Sequence, residues 1–436
     1  MKIEWVNHAS FIVDHDGVRL MSDPWIEGTA FDHGWSHLVP TRFGYDDFAV
    51  VSHIWISHEH PDHFAPRNLL AIPAEHRRRI TLMFHEGVDF RIGAFCRNAG
   101  FGRVLQLRSG RWLDLAPDLR VRCEEEAGDT WLALRSADRT ILNLNDAIFA
   151  YRWRVRRVAR RVGARIDVLL TQFSYANWVG NPDQPERHHA AARDMLERVR
   201  MQVDILKPRY TIPFASMVRF CHEENAYLNA GMNRVHDAYR MLRSTSTTPV
   251  VLFPGESWTV GEPHDSERSL ARYTPFYERA ASGEDLVRSP SVGATELTRL
   301  ADRFLRTLRR RNGSWPIALA TRLGLLASTT IWVWDHGAAY ELDPRRGLRR
   351  AQLDERGCDV AMASESLAYA LRFLWGGSTV LINGRFRTPP AGRSRRFMRY
   401  VNLALLNNWG WDKVRYLRHR AASIRDRAER RLAWVG

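Results

Sequence analysis

The stretch Ser57-His58-Glu59-His60-Pro61-Asp62-His63-Phe64 constrains this chain more than any other. Three histidines and an aspartate follow directly on the apolar run Val50-Val51-Ser52-His53-Ile54-Trp55-Ile56. A β-branched and aromatic run ending in a polar turn predicts a buried strand that opens into a loop. A loop at the end of a buried strand can aim several side chains at one point. Imidazole nitrogens and carboxylate oxygens are ligands for zinc, iron or manganese. His58 and His60 can close on one ion while Asp62 and His63 turn toward a second. The plainer alternative, a polar loop with incidental histidines, fits poorly with so dense a spacing.

At 436 residues the chain has room for two domains, each with a substantial core. An apolar fraction of 45% with 26% charged residues is ordinary for a globular protein, and its 16 tryptophans read as core or pocket wall. Cys96, Cys123, Cys221 and Cys358 are widely spaced, without a Cys-x-x-Cys pair. They predict reduced thiols and a cytoplasmic location rather than a disulfide framework. No basic segment followed by an apolar run opens the chain, so no secretory leader is expected. Trp315 to Trp334 is the nearest candidate for a membrane span, and it carries Arg322 and several polar residues. The net charge of +15 allows an acidic partner such as nucleic acid, an anionic membrane or an acidic carrier. A solvated arginine-rich surface is the simpler reading.

Strand and helix signals alternate over residues 1–262, predicting a layered α/β catalytic domain. Ile3 to Val13 and Val18 to Met21 read as a hairpin turning at Asp16-Gly17. Val121 to Cys123, Trp131 to Leu134, Thr140 to Leu144, Val168 to Leu170, Tyr210 to Pro213 and Val250 to Phe253 read as further strands. Asp146 to Val162 and Glu186 to Val203 have helical spacing, the former with a strongly basic face. Residues 263–290 read as a linker. Residues 291–385 read as a small α+β module with a helix from Ser291, a hairpin at Asp335-His336-Gly337, a helix over Ser364 to Phe373 and a strand over Thr379 to Asn383. Residues 386–436 read as a basic helical tail, with Arg415, Arg418, Arg425, Arg427, Arg430 and Arg431 among apolar positions.

His58-Glu59-His60-Pro61-Asp62-His63 resembles the His-x-His-x-Asp-His motif of the metallo-β-lactamase superfamily. Trp5-Val6-Asn7-His8-Ala9-Ser10-Phe11 and Ser22-Asp23-Pro24-Trp25 resemble the branch holding CMP-N-acetylneuraminate hydroxylase and N-acylphosphatidylethanolamine phospholipase D. Asn143-Leu144-Asn145-Asp146, Thr171-Gln172-Phe173-Ser174, Pro213-Phe214-Ala215-Ser216 and Asn225-Ala226-Tyr227-Leu228-Asn229 are more similar to the hydroxylase. The resemblance covers roughly the first 260 residues well. It implies an αββα sandwich with the metals at one edge between two sheets. The order of elements in the later module resembles a sterol carrier.

The resemblance also implies the rest of the ligand set. Asp146 stands where the superfamily has its bridging aspartate, and His222, in Phe220-Cys221-His222-Glu223-Glu224-Asn225, matches the final histidine. Asp146 could equally cap a helix, and Glu223 or Glu224 could serve beside His222. The chain departs from the pattern about twenty residues before Asp146, where it has Glu124-Glu125-Glu126 and no histidine. Glu126 is the replacement ligand expected here, and an added carboxylate favours iron or manganese over zinc. His8, Asp23, Glu27 and His85 are expected near the site. Asp62, His8 and Glu223 are the candidate catalytic groups.

Two chemistries follow from the resemblance. One is a non-haem diiron oxygenase that uses O₂ to hydroxylate or N-oxygenate a small polar metabolite such as an amino acid, an amine or an N-acyl compound. The other is a hydrolase of phosphodiester, lactone or amide bonds that uses a metal-bridging hydroxide. The hydroxylase of this branch carries a Rieske cluster, which needs Cys-x-His and Cys-x-x-His pairs. Neither pair occurs here, so an oxygenase of this sequence needs an external donor, such as a ferredoxin or reductase. No phosphate-binding glycine loop, Ser-His-Asp arrangement or dinucleotide fingerprint stands out. A nuclease is the weakest reading, and no nucleic-acid partner is expected.

Overall fold

The structure, a computed structural model, describes residues 1–87, 90–126, 128–147 and 149–410. It divides into two units, Met1–Val287 and Arg288–Gly436. The first holds two seven-stranded sheets. One runs in the order Ser257–Thr259, Lys2–Asn7, Ser10–His15, Val18–Ser22, His53–Ile56, Thr81–His85 and Arg103–Leu107. The other runs Thr248–Pro249, Tyr210–Phe214, Val168–Gln172, Thr140–Asn143, Asp129–Arg135, Leu119–Glu126 and Leu113–Ala116. Each sheet changes from antiparallel to parallel pairing along its width.

Side-chain alternation makes the sheets two-faced. Trp5, Phe11, Leu20, Trp55 and Met83 join Leu132, Leu142 and Leu169 in one core. Ile12, Met21, Ile54, Ile56, Leu82 and Phe84 face the opposite way and pack with Leu69, Ile72 and Ile92 from the helical segments. Helices Arg152–Val162 and Pro185–Leu206 add Val155, Val158, Val162, Val199 and Val203 to the first core. Helices therefore flank both sheets in an αββα sandwich.

Several local expectations change. Ile3 to Val13 is two strands, because the chain reverses at His8-Ala9, where His8 takes φ 33°. The turn at Asp16-Gly17 forms with φ of 50° and 76°, the left-handed pair a tight hairpin requires. The basic helix starts at Arg152, with Tyr151 rather than Asp146 at its cap. Val250 to Phe253 is buried without joining a sheet, whose short last strand is Thr248–Pro249. Residues 263–290 are no plain linker. Helix Ser266–Ser282 buries Leu270, Tyr273, Tyr277 and Ala280 in the main core, and the unit boundary falls after Val287.

The second unit has a four-stranded sheet ordered Gly347–Ala351, Ala338–Asp343, Thr329–Val333 and Val360–Met362. Helix Ala294–Asn312 buries Leu297, Leu300, Ala301, Phe304, Leu305 and Leu308, the stripe of an amphipathic helix. Thr379 to Asn383 is helical within Gly376–Asn383 rather than a strand. A side chain on Gly376 or Gly377 would run into the Tyr369 carbonyl or Val401, so close packing there overrides the β-branched signal. Helix Arg395–Asn408 belongs to the expected tail, whereas residues 411–436, with all the tail arginines named above, lie outside the described residues. All four cysteines are buried and free. No helix among the described residues is long and apolar enough to cross a membrane.

Candidate metal centre

The topology brings one end of both sheets to a common edge. Val18–Ser22 and His53–Ile56 are parallel, so Asp23 and the 57–63 loop leave at the same end. Ser10–His15 is antiparallel to Val18–Ser22, which puts the His8 turn there too. In the second sheet, Asp129–Arg135 is antiparallel to Thr140–Asn143, so Asp129 at the start of one lies near Asp146 beyond the end of the other. Thr130 Oγ1 donates to the Ser57 carbonyl at 2.7 Å and ties the second sheet to the motif loop.

Three overlapping groups of ligand atoms result: His58, His60 and Asp129; His58, His63 and Asp146; His8, Asp62 and His63. Asp146 faces both halves. Its Oδ2 lies 3.8 Å from His58 Nε2 and its Oδ1 lies 3.2 Å from His63 Nε2. Asp62 Oδ2 lies 3.3 Å from His63 Nε2 and 3.2 Å from His8 Nε2. His58 Nε2 is 3.5 Å from Asp129 Oδ1 and 2.8 Å from His60 Nδ1. Two ring nitrogens that close share a proton unless a cation lies against both.

A shell of hydrogen bonds orients these rings. Buried Asp23 accepts from Ser57 N and Oγ, each at 2.7 Å, from Asn145 Nδ2 at 2.6 Å and from His63 Nδ1 at 2.9 Å. With Nδ1–H committed to Asp23, His63 turns Nε2 toward Asp62 and Asp146. Ser57 Oγ, donating to Asp23, takes the Nδ1–H of His58 at 2.9 Å and leaves His58 Nε2 bare. Asp62 Oδ1, His63 Nε2 and Asp146 Oδ1 are buried and find no well-formed hydrogen bond among the described residues. Buried polar atoms without partners are costly, and a cation would satisfy all three. The residues therefore fit a metal site. His8, Asp23, Asn145 and Ala215 take φ of 33°, 38°, 52° and 47° around it, a strain of about 1–3 kcal/mol each that the surrounding packing must hold.

The charges are shared among coupled groups. Burial lowers His58 and His60 below the usual imidazole value, helped at His58 by neighbouring His63 and at His60 by neighbouring His58. Burial opposes the charge on His63, but Asp146, Asp62 and Asp23 together hold its pKa well above normal. Burial would raise Asp62 and Asp146, yet the neighbouring histidines outweigh it and both lie below the carboxylate range. Asp129 is pushed up to about 7 by burial and then by the Asp146 carboxylate. So many carboxylates in one place call for positive charge.

Glu126 does not face the cluster. Its carboxylate meets Arg157 Nη2 at 2.5 Å and Arg154 Nη1 at 3.4 Å. Glu124 is likewise held by Arg122 at 2.5 Å and Arg161 at 2.9 Å. Strand parity places both glutamates on one face, and Asp129, paired with Glu126 across the turn, stands at the end of the hairpin where it reaches the cluster. Its signal was an aspartate at the far side of the same hairpin. His222 is buried, with Nδ1 3.4 Å from Glu224, and it stands outside all three groups. Its strand, Val218–Phe220, pairs with Trp35–His37 in a separate small sheet. Glu223 is exposed and outside the groups, its amide bonded to the Val287 carbonyl. Glu27 accepts from Tyr45 and His85 meets Ser109 Oγ, so neither enters the cluster. Phe31 packs 5.6 Å from His60 and Trp25 5.8 Å from His8, giving the site aromatic walls.

Comparison with known proteins adds to this geometry. A β-lactamase superfamily domain matches residues 2–105. A Mycolicibacterium smegmatis protein named for a Rieske 2Fe-2S cluster is 23% identical over 249 residues, covering 52% of this chain and 46% of its own length. A similarly named Mycobacterium tuberculosis protein is 25% identical over 255 residues, with the same shares covered. The chain thus spans about half the length of the curated relatives it matches. Among solved structures it is similar to CmlA, a diiron β-hydroxylase from Streptomyces venezuelae, at TM-score 0.40 and 17% identity, covering 59% of this chain and 53% of that one. It is also similar to an isothiocyanate hydrolase from Delia radicum gut bacteria, at TM-score 0.40 and 13% identity, covering 59% and 98%. Residues 2–105 thus match a β-lactamase superfamily domain, and the two-sheet unit they open has the αββα architecture of the metallo-β-lactamase fold.

Proposed function

We propose that this chain is a dinuclear metalloenzyme, a non-haem diiron oxygenase acting on a small polar metabolite such as an amino acid, an amine or an N-acyl compound. The observation that carries the dinuclear reading is Asp146, whose two oxygens face His58 and His63 separately. His58, His60 and Asp129 would hold one ion, and His63, Asp62 and His8 the other, with Asp146 between them. Three carboxylates among four imidazoles make a hard ligand set, which favours iron or manganese over zinc. The relatives named for a Rieske 2Fe-2S cluster support redox chemistry. When bound, two irons would supply the electrons and Lewis acidity for O₂ activation.

The protein's own groups prepare that site. Neutral His58 and His60 offer lone pairs at ordinary pH. Asp23 fixes the His63 tautomer and with it the direction of Nε2. Trp25 and Phe31 keep bulk water from the site. Hydrolysis by a metal-bridging hydroxide is the alternative, and the same experiment separates the two. The protein is produced with iron and zinc both supplied, its metals are measured by elemental analysis, and O₂ uptake is followed after reduction. Two irons per chain with O₂ consumption is the expected result. Two zincs with no O₂ reaction would replace the oxygenase with a hydrolase.

A further inference from the structure

The helix Arg152–Val162 carries six arginines in the sequence RWRVRRVARRV. Its buried stripe is Val155, Val158 and Val162. The arginines divide into two sets. Arg154 and Arg157 reach back to Glu126, and Arg161 to Glu124. Arg152, Arg156 and Arg160, four residues apart and therefore on one ridge, are exposed and form no ion pair among the described residues. Trp153 lies beside them, 38% exposed, with the Arg154 and Arg157 guanidinium groups 5.3 and 5.0 Å from its ring. This ridge borders a shallow groove of about 540 Å³ that Ala159, Asp204 and Ile205 complete.

We infer that this ridge is the docking surface for an acidic one-electron donor, an iron–sulfur protein of the ferredoxin class. The inference rests on the oxygenase reading above. Inserting one atom of O₂ into a C–H bond and releasing the other as water consumes two electrons and two protons. Two encounters with a one-electron donor supply the electrons, each oxidising the donor cluster by one electron, and solvent supplies the protons. The four buried cysteines stand apart from one another in sequence and cannot form a Rieske pair within this chain. On this proposal the electrons come from a cluster on a separate protein.

Position argues for this helix. Arg154 and Arg157 grip Glu126, the cross-strand partner of Asp129, so the helix is braced directly on the hairpin that carries a candidate ligand. The helix also follows closely on Asp146 in the chain. Excess positive charge around a single exposed aromatic suits a transient complex, where charge steers encounter and little apolar area is buried. A lipid surface would be expected to meet a broader apolar face than one tryptophan.

The test uses the full chain and the triple variant Arg152→Glu, Arg156→Glu, Arg160→Glu, with folding checked by circular dichroism. Binding of a plant-type [2Fe-2S] ferredoxin is measured by calorimetry at low and high salt. O₂ uptake is followed with that ferredoxin as donor and, separately, as a single turnover of protein reduced by dithionite with methyl viologen and freed of both before O₂ is admitted, since each consumes O₂ by itself. The expected result is at least a tenfold loss of ferredoxin affinity and ferredoxin-driven uptake in the variant, with dithionite-driven uptake unchanged. Equal ferredoxin binding by both proteins, or binding of anionic phospholipid vesicles in place of ferredoxin, would overturn the docking surface. Absent O₂ uptake with dithionite in the unaltered protein would overturn the oxygenase reading instead, whatever the ferredoxin binding.

Discussion

At the scale of single residues, Asp23 governs the site without being a proposed ligand. One of its oxygens accepts from Ser57, His63 and Asn145 together. Asp23→Asn keeps the shape but replaces an acceptor with a donor, freeing the His63 ring. The expected outcome is a 10–100-fold loss of metal affinity, about the cost of removing such a partner, read by competition with a chromophoric chelator. Asp146→Asn should reduce metal content to one ion or fewer per chain with secondary structure retained; two ions in that variant would remove Asp146 from the bridging role. His37 gives a pH signature. Burial, and then neighbouring His8, push its pKa down to about 3 from 6.5. Between those values the unfolded chain binds the extra proton, so this contribution to stability is complete above about pH 6.5 and is lost as the pH falls toward 3. In metal-free protein, His37→Gln should flatten the fall of the urea midpoint over that window, and an unchanged slope would assign the acid sensitivity to other groups.

At the scale of elements, the hairpin Leu119–Glu126 with Asp129–Arg135 decides which carboxylate serves the site. Glu124 and Glu126 pair with Arg161 and Arg157 of the basic helix, whereas Asp129, the residue paired with Glu126 at the end of the hairpin, meets the histidines. Glu126→Gln should therefore leave metal content unchanged and cost about 1–3 kcal/mol of stability by breaking a mostly buried ion pair. Urea unfolding with elemental analysis checks both parts. Loss of metal at unchanged stability would restore Glu126 as a ligand. The three-glutamate run was legible in the sequence as a cluster of carboxylates beside the site. That Glu124 and Glu126 turn to arginines was not, because the answer depended on residues about thirty positions further along. His222 shows the same limit. Its place in the chain matched a superfamily pattern, but the pairing of Val218–Phe220 with Trp35–His37 carries its turn with a different sheet.

At the scale of the molecule, the two units have separate cores, and all the candidate ligands belong to the first. Calorimetry of the full chain should resolve two transitions, with saturating metal raising only one. A hundredfold excess over the dissociation constant is worth about 2.7 kcal/mol to the unit that binds, and EDTA should reverse the shift. A single transition moving as a whole would mean that the units unfold together.

The sequence by itself determined the layered α/β class, the strand leading into the 57–63 loop, the position of Asp146 after its strand and the presence of a second α+β unit, while the αββα arrangement was implied by the family resemblance. These depend on periodicity and on short-range order, which one chain segment carries alone. The tertiary structure brings His8 and Asp129 into the groups formed by the motif histidines, and leaves His222 and Glu126 outside those groups. It also decided that residues 266–282 pack as a core helix. Those outcomes depend on strand register and on ion pairs between distant segments, and a one-residue change of register sends every side chain of a strand to the opposite face.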